Sequence, residues 1–379
     1  MRMRTCAIVL GVMLLALPAC RAQGEDAALT VAVIAPFSGD FESLGRASRA
    51  GVELALAEWN QRGGVSGQLV QVVWFDAQCD YATAREVTQE AIDEQGIRFI
   101  IGEVCSDAAE GVAQVATELE ALQLSPTSVD PELTLDFEGN VRPLVFRVPF
   151  IDPLQGTVAA QFALETLQAD SAAILYAENS TYGLALADAF ETAFTAGGGE
   201  ILLRTTYNQD AESYYDRLQP VRDANPDLLY MPGYYNVMNR LVAQARGFGL
   251  LQPLIGSDGW DAPGLDLHVV DGSYFTTHYS SQDPRPEVAA WIQRYTAHYL
   301  VQPDTVATLS YDALNILLTA IQEAGTTTDP YQVAAKMEKL TFATVAGPMT
   351  FDEFHNPVKG VLLMRAFNGQ IVYVDCLTP

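Results

Sequence analysis

Residues 29–75, LTVAVIAPFSGDFESLGRASRAGVELALAEWNQRGGVSGQLVQVVWF, carry the pattern that decides the fold. Leu29–Ala35 is an apolar run of strand length, residues 42–60 place their apolar side chains at helical spacing, and 69–75 is a second strand-like run. The Gly-Gly-Val-Ser-Gly stretch at 63–67 marks the turn between helix and strand. The same order continues with a helix over 82–94, a strand over 98–102 and a helix over 107–122. Strands and helices that alternate in this way predict a parallel sheet covered by helices on both faces.

The rhythm restarts after Pro149, with strands over 172–177, 200–206, 228–231 and 254–256 and helices over 183–196 and 237–248. A stretch near 276–283 is polar and irregular, and helices over 286–299, 308–324 and 330–339 follow it. These late helices have too few strands for a third sheet domain, so they are expected to return and cover the first lobe. Residues 349–351 and 360–367 are then expected to cross back and add strands to the second. The reading is an α/β protein of two Rossmann-like lobes, 29–148 with 278–348 and 149–277 with 349–379. Three crossings make the hinge, and a ligand cleft lies between the lobes at the strand carboxyl ends. With 379 residues, 49% of them hydrophobic, the chain has length and apolar surface enough for two cores.

Forty-seven acidic residues face 21 basic ones, a formal charge of −26, so the summed field repels phosphate backbones and anionic head groups. Nucleic acid is not an expected partner. Arg2 and Arg4 precede an apolar run over 7–17, shaped like a signal-peptide core and too short for a permanent membrane helix. Residues 1–19 are therefore read as a signal peptide and the protein as exported, to the periplasm or the outer face of the cytoplasmic membrane. Leu17-Pro18-Ala19-Cys20 resembles a lipoprotein cleavage box, although Pro18 is not the usual residue there. Cys20 is thus the candidate lipid anchor, 20–28 a linker, and that anchor the expected membrane attachment.

Cys6 falls in the leader, which leaves Cys79, Cys105 and Cys376. Cys79 and Cys105 each follow a strand-like run and would share a sheet edge if those strands were parallel neighbours. Export permits a disulfide between them, and two separate buried thiols are the alternative. A metal pair is disfavoured because no histidine sits nearby. No Walker A loop, nucleophile elbow, His-Glu-x-x-His or Cys-x-x-Cys motif occurs, so neither catalysis nor a cofactor is expected. His268, His278, His298 and His355 are scattered and read as surface or packing residues.

Several stretches resemble the branched-chain amino-acid binding proteins, the substrate receptors of leucine/isoleucine/valine ABC importers. They are VIAPFSG at 33–39, NQRGGVSG at 60–67, FDAQCD at 75–80, IGEVCS at 101–106, SPTSVDPELT at 125–134, YGLAL at 182–186, GYY at 233–235, GSDGW at 256–260 and AGPMTFD at 346–352. None is specific alone; their order and spacing together are. The resemblance implies a type I periplasmic-binding fold, a Cys79–Cys105 disulfide, and a monomer that hands its ligand to permease subunits.

It also implies the ligand set. Ser106 matches the serine after the second cysteine and is read besides as N-cap of the following helix, where a hydroxyl and free N–H groups suit a carboxylate. Thr127, Ser128 and Val129 match a ligand loop, with valine where the family has threonine. Tyr182 and Tyr234 match tyrosines that close over the ligand backbone. Asp258 matches a glutamate that pairs with the α-ammonium, and is one methylene shorter. Valine and the shorter acid keep open a rival ligand, such as an amide, urea or aromatic acid, and a second rival role as ligand sensor for a signalling partner.

Overall fold

The computed structural model describes residues 28–178, 180–262 and 264–378. The expected signal peptide, with Cys6, and the candidate anchor Cys20 lie outside the described residues. Chain order runs β1 (Leu29–Ala35), α1 (Glu42–Gln61), β2 (Val70–Asp76), α2 (Tyr81–Gln89, extended by a π-helical turn Glu90–Glu94), β3 (Phe99–Gly102), α3 (Ser106–Glu118), β4 (Leu122–Ser125) and β5 (Val145–Arg147). The five strands pair in the order β2-β1-β3-β4-β5, all parallel. Val31 through Ala35 are buried without alternation, because helices cover both faces of a parallel sheet. Two expectations change here. The helix expected to reach residue 122 stops at Glu118, and Leu122 opens β4 instead. β2 and β3 are not neighbours, since β1 lies between them.

α4 (Asp152–Glu165), β6 (Ser171–Ala177), α5 (Thr181–Ala196), β7 (Glu200–Tyr207), α6 (Tyr215–Ala224), β8 (Leu228–Tyr230), α7 (Tyr235–Gly247), β9 (Leu254–Gly256) and β10 (Tyr274–Thr277) form the second unit. Its sheet has the order β15-β14-β10-β9-β8-β6-β7, where β14 (Val361–Phe367) and β15 (Gln370–Leu377) come from the chain's end and run antiparallel. Between these parts stand α8 (Pro286–Tyr299), α9 (Thr305–Ala324), α10 (Pro330–Met337) and a small antiparallel sheet, β11 (Phe342–Thr344), β12 (Gly347–Phe351) and β13 (Pro357–Val358).

The late helices pack on the first sheet. Trp291, Leu314, Leu317 and Ile321 share one apolar cluster with Val31, Val33, Ile101 and Leu124. Burying a side chain of this kind contributes about 1.5–3 kcal/mol. α9 starts at Asp304, whose carboxylate accepts the Ala307 N–H at 2.8 Å, and ends at Gly325 with φ +68°. α1 and α9 touch backbone to backbone at Gly51, where a Cβ would collide with the Ala307 carbonyl. Met349 and Phe351, expected in the second sheet, lie in the small sheet and in the first core, because their strand pairs with β11 and β13.

Lys359, between β13 and β14, is 2% exposed and its ammonium has no hydrogen-bond partner. Its counter-charge is Asp312 of α9, equally buried, whose carboxylate accepts the Val345 N–H at 3.0 Å. Burial depresses the lysine's pKa and raises the acid's, and their mutual attraction opposes both changes. No helix among the described residues is long and apolar enough to cross a membrane.

Candidate functional site

The site candidates of the first unit sit beyond the carboxyl ends of β3 and β4, which are parallel neighbours. Ser106 is the first residue of α3, and Cys105 occupies the cap position without a side-chain bond; the capping role read from sequence does not hold. Thr127 donates its hydroxyl to the Val104 carbonyl at 2.6 Å, and Ser125 donates to the Glu103 carbonyl at 3.1 Å. These bonds tie the two loops together. The buried Ser128 hydroxyl has no partner, although its N–H donates to Ser125 Oγ at 3.2 Å. Val129 is half-buried beside it.

Beneath this loop lies Arg147 of β5, fully buried, whose guanidinium donates to the carbonyls of Ser128, Asp130 and Pro131. Burial lowers its pKa to about 10, which leaves it a cation. No motif marks this arginine in the sequence. It holds the shape of the loop from below.

Cys79 and Cys105 stand at disulfide distance, Cα atoms 5.4 Å apart, although β1 lies between the strands they follow. Glu103 lies beside them, fully buried, and accepts the Cys105 N–H. Burial pushes its pKa up to about 7 against the bonds from Cys105, Val104 and Cys79 N–H. These three residues are the one group among the described residues whose donor atoms cluster closely enough for a metal. Sulfurs at this distance, once joined, are not thiolate ligands, so the donor set suits a disulfide better than a metal.

In the second unit β6, β8 and β9 are successive neighbours, and each sends one candidate from its carboxyl end. Ser180 caps α5 by accepting the Gly183 N–H at 3.0 Å, which sets Tyr182 in the first turn. Tyr234 precedes α7 and stacks on Tyr182 with ring centroids 5.0 Å apart. Asp258 opens a short 3-10 turn pinned by Trp260, fully buried, whose Nε1 donates to the Met231 carbonyl at 3.3 Å. Tyr182, Tyr234 and Asp258, each named from the family resemblance, are therefore brought together at these strand ends. Among the described residues no hydrogen bond or ring contact joins them to Ser106 or to the 127–129 loop.

Asp258 is not a free turn acid. Its Oδ1 accepts from Gln155 Nε2 at 2.9 Å and from the Tyr182 hydroxyl at 2.6 Å, while Oδ2 lies 3.3 Å from His278 Nε2. The Asp258 N–H donates back to Gln155 Oε1 at 2.7 Å, which also takes the Thr276 hydroxyl. Burial works to raise its pKa, but His278, Tyr182 and Gln155 outweigh burial and hold it below the ordinary value. The acid is an anion. Burial and the Asp258 charge keep the Tyr182 phenol protonated, a donor throughout.

His278, read as a packing residue, belongs to this cluster. It is 6% exposed and stacked on Phe150 at 3.7 Å, and burial lowers its pKa while Asp258 opposes. Gln155 was equally invisible in the sequence. His355, by contrast, does pack as read, stacked on Phe146 with Nδ1 3.0 Å from the Val145 carbonyl.

The chain is similar over 336 residues to the Leu/Ile/Val-binding protein of Escherichia coli K12, at 26% identity and 88% of each chain. Among solved structures it resembles a leucine-binding protein from Thermotoga maritima, at 29% identity, TM-score 0.75 and 93% and 99% of the two chains. It likewise resembles a branched-chain amino-acid substrate-binding protein from Streptococcus pneumoniae in complex with isoleucine, at 25% identity, TM-score 0.75 and coverage of 93% and 100%. Residues 28–370 match the family model described as periplasmic binding protein, so the chain, with its two α/β lobes, belongs to the periplasmic binding protein family.

Proposed function

We propose that the chain is an exported, non-enzymatic solute receptor that captures an amino acid between its lobes and delivers it to the permease subunits of an ABC importer. The observation that carries the reading is the ionised, hydrogen-bonded Asp258 under the Tyr182–Tyr234 stack, at the carboxyl ends of β6, β8 and β9. The ligand ammonium meets Asp258. Its carboxylate meets Ser106 and the N–H groups of the loop that carries Thr127, Ser128 and Val129, with the positive end of α3 adding to the attraction. Both lobes then contribute contacts only when closed, so ligand favours closure.

The lobes are assigned as 29–148 with 278–358 and 149–277 with 360–378, which moves the third crossing to Lys359 and Gly360. Segregation of the sheets supports this division. Calorimetric titration with a panel of amino acids, amides and organic acids tests the function, after unfolding and dialysis to remove bound solute. A panel in which only amides or aromatic acids bind would replace the amino-acid reading.

Two predictions concern the exported form. Non-reducing peptide mapping is expected to recover Cys79 linked to Cys105, across a sequence separation of 26. Closing a loop of that length stabilises the fold by roughly 3 kcal/mol in chain-entropy estimates. Free thiols at both positions in exported protein would remove the bond. Labelled fatty acid is expected on the wild type and not on Cys20→Ala; label on neither means a protein released without a lipid.

A further inference from the structure

The two oxygens of Asp258 are unevenly used. Oδ1 accepts from both Gln155 Nε2 and the Tyr182 hydroxyl, while Oδ2 has His278 Nε2 alone, at 3.3 Å. A carboxylate oxygen offers two lone pairs, so Oδ1 is full and one acceptor place remains, on Oδ2 beside the imidazole. The acid's side chain is 19% exposed and the histidine's 8%, so the acid is the more accessible of the two. An ionised Asp258 can only accept, which assigns the Nε2 hydrogen to His278 and leaves Nδ1 as a bare acceptor. Nδ1 is buried and no protein group donates to it.

We propose that His278 is a positioning residue that shares Oδ2 of Asp258 with the ligand ammonium, so that the receptor holds its solute while the imidazole is neutral and releases it when the ring takes a second proton. This rests on the receptor reading above and adds a control to it. A neutral ring donates one hydrogen bond and leaves the charge of Asp258 to the ligand. An imidazolium puts a full positive charge against the same oxygen, where it offsets the acid and repels the ammonium. The ring cannot turn away from the oxygen without breaking its stack on Phe150, whose plane lies 25° from its own. Phe150 and His278 lie just beyond the first two lobe crossings assigned above, so the ring is held where the lobes join.

The charged groups that face the ring are Asp258, on the turn after β9, and Lys359, at the third crossing. Burial lowers the imidazole pKa below 6.5, Asp258 opposes this through its bond and its charge, and Lys359 adds to the fall. The ring is therefore neutral at pH 7. Asp152, Tyr182 and Tyr234 face Asp258 from their own helices; the phenols keep their protons, and Asp152, raised by burial to about 8, titrates above the range of the histidine. As the pH falls below 6.5, a growing share of the free receptor carries the extra proton on Nδ1. The ligand ammonium lowers the ring pKa further, so capture sends that proton from Nδ1 to water. Because binding then releases a proton, affinity falls as the pH drops through the free-state pKa, by up to about tenfold per unit.

The experiment measures affinity by calorimetric titration from pH 8 to pH 5 for wild type and His278→Gln, each freed of bound solute and each referred to its own value at pH 7.5. The probe is L-leucine, or the tightest binder of a panel of L-amino acids. Glutamine keeps a donor for Oδ2 and has no proton to gain. By pH 5 the wild type is expected to lose at least about threefold more affinity than the variant. Imidazole NMR of the wild type is expected to show the neutral Nε2–H tautomer of His278 at pH 7, and a lower pKa with the amino acid bound than without it. Equal pH profiles, an Nδ1–H tautomer, or a His278 pKa that the amino acid leaves unchanged overturns the role of His278 and leaves the receptor reading in place. No binding by any amino acid overturns both. Should the variant not fold, the two pKa values of the wild type decide alone.

Discussion

Asp258→Ala is expected to lower ligand affinity several-hundred-fold or more. The substitution removes the acceptor for Gln155, Tyr182 and His278 together with the anion proposed to meet the ligand ammonium. An unpaired charge in a water-poor site typically costs about 3–5 kcal/mol. Asp258→Asn keeps the shape and much of the bonding, so a comparably large loss there isolates charge as the cause. Tolerance of Asn to within about 1–1.5 kcal/mol, the scale of an ordinary hydrogen bond, points to a neutral ligand instead. The readout is calorimetric titration with the best ligand of the panel, alongside unfolding of each variant to separate a binding defect from a folding defect. If both variants bind within about threefold of wild type, Asp258 only anchors its turn.

The second large effect is on stability. Lys359→Met leaves Asp312 buried with the Val345 N–H as its remaining support. Removing one partner of a contacting buried pair typically destabilises by about 3–5 kcal/mol, the upper bound here because no direct ion pair joins Lys359 to Asp312 among the described residues. The sign of the pH dependence follows from the acid. Its folded pKa is already raised by burial and rises further without the lysine, so the folded variant must keep a proton that the unfolded chain gives up. The deficit relative to wild type therefore widens from about pH 6 to about pH 8. Lys359→Met combined with Asp312→Asn is expected to recover most of the loss and to flatten that dependence. Denaturant unfolding followed by circular dichroism checks both, and a single variant as stable as wild type at every pH would mean that the two charges do not depend on each other.

Strand and helix alternation was readable where periodicity was clear, as in β1, α1 and β6 through β9. It failed for physical reasons elsewhere. Leu122–Ser125 is too short for its period to separate strand from helix, so it was absorbed into α3. α4 is buried on most sides, from Asp152 and Gln155 to Phe162 and Ala163, and so shows no apolar stripe. α6 carries Pro220 in its interior, which argues against a helix. For the site, Tyr182, Tyr234 and Asp258 could be placed because each follows a strand in a stretch that resembles a family. Gln155 and His278 could not, since they reach the same place from segments 103 and 20 residues away from Asp258, Gln155 from the unread α4.

Arg147 shifts an entropic term from binding to folding. A loop of four residues that ordered itself around each ligand would lose backbone freedom at every capture, about 1–2 kcal/mol per residue fixed. Here the guanidinium grips three carbonyls of the 128–131 segment from the core side, so that loss is met once, when the sheet forms. On the proposed reading, a solute would then meet a loop already ordered by the core, and what remained for it to organise would be the approach of one lobe to the other.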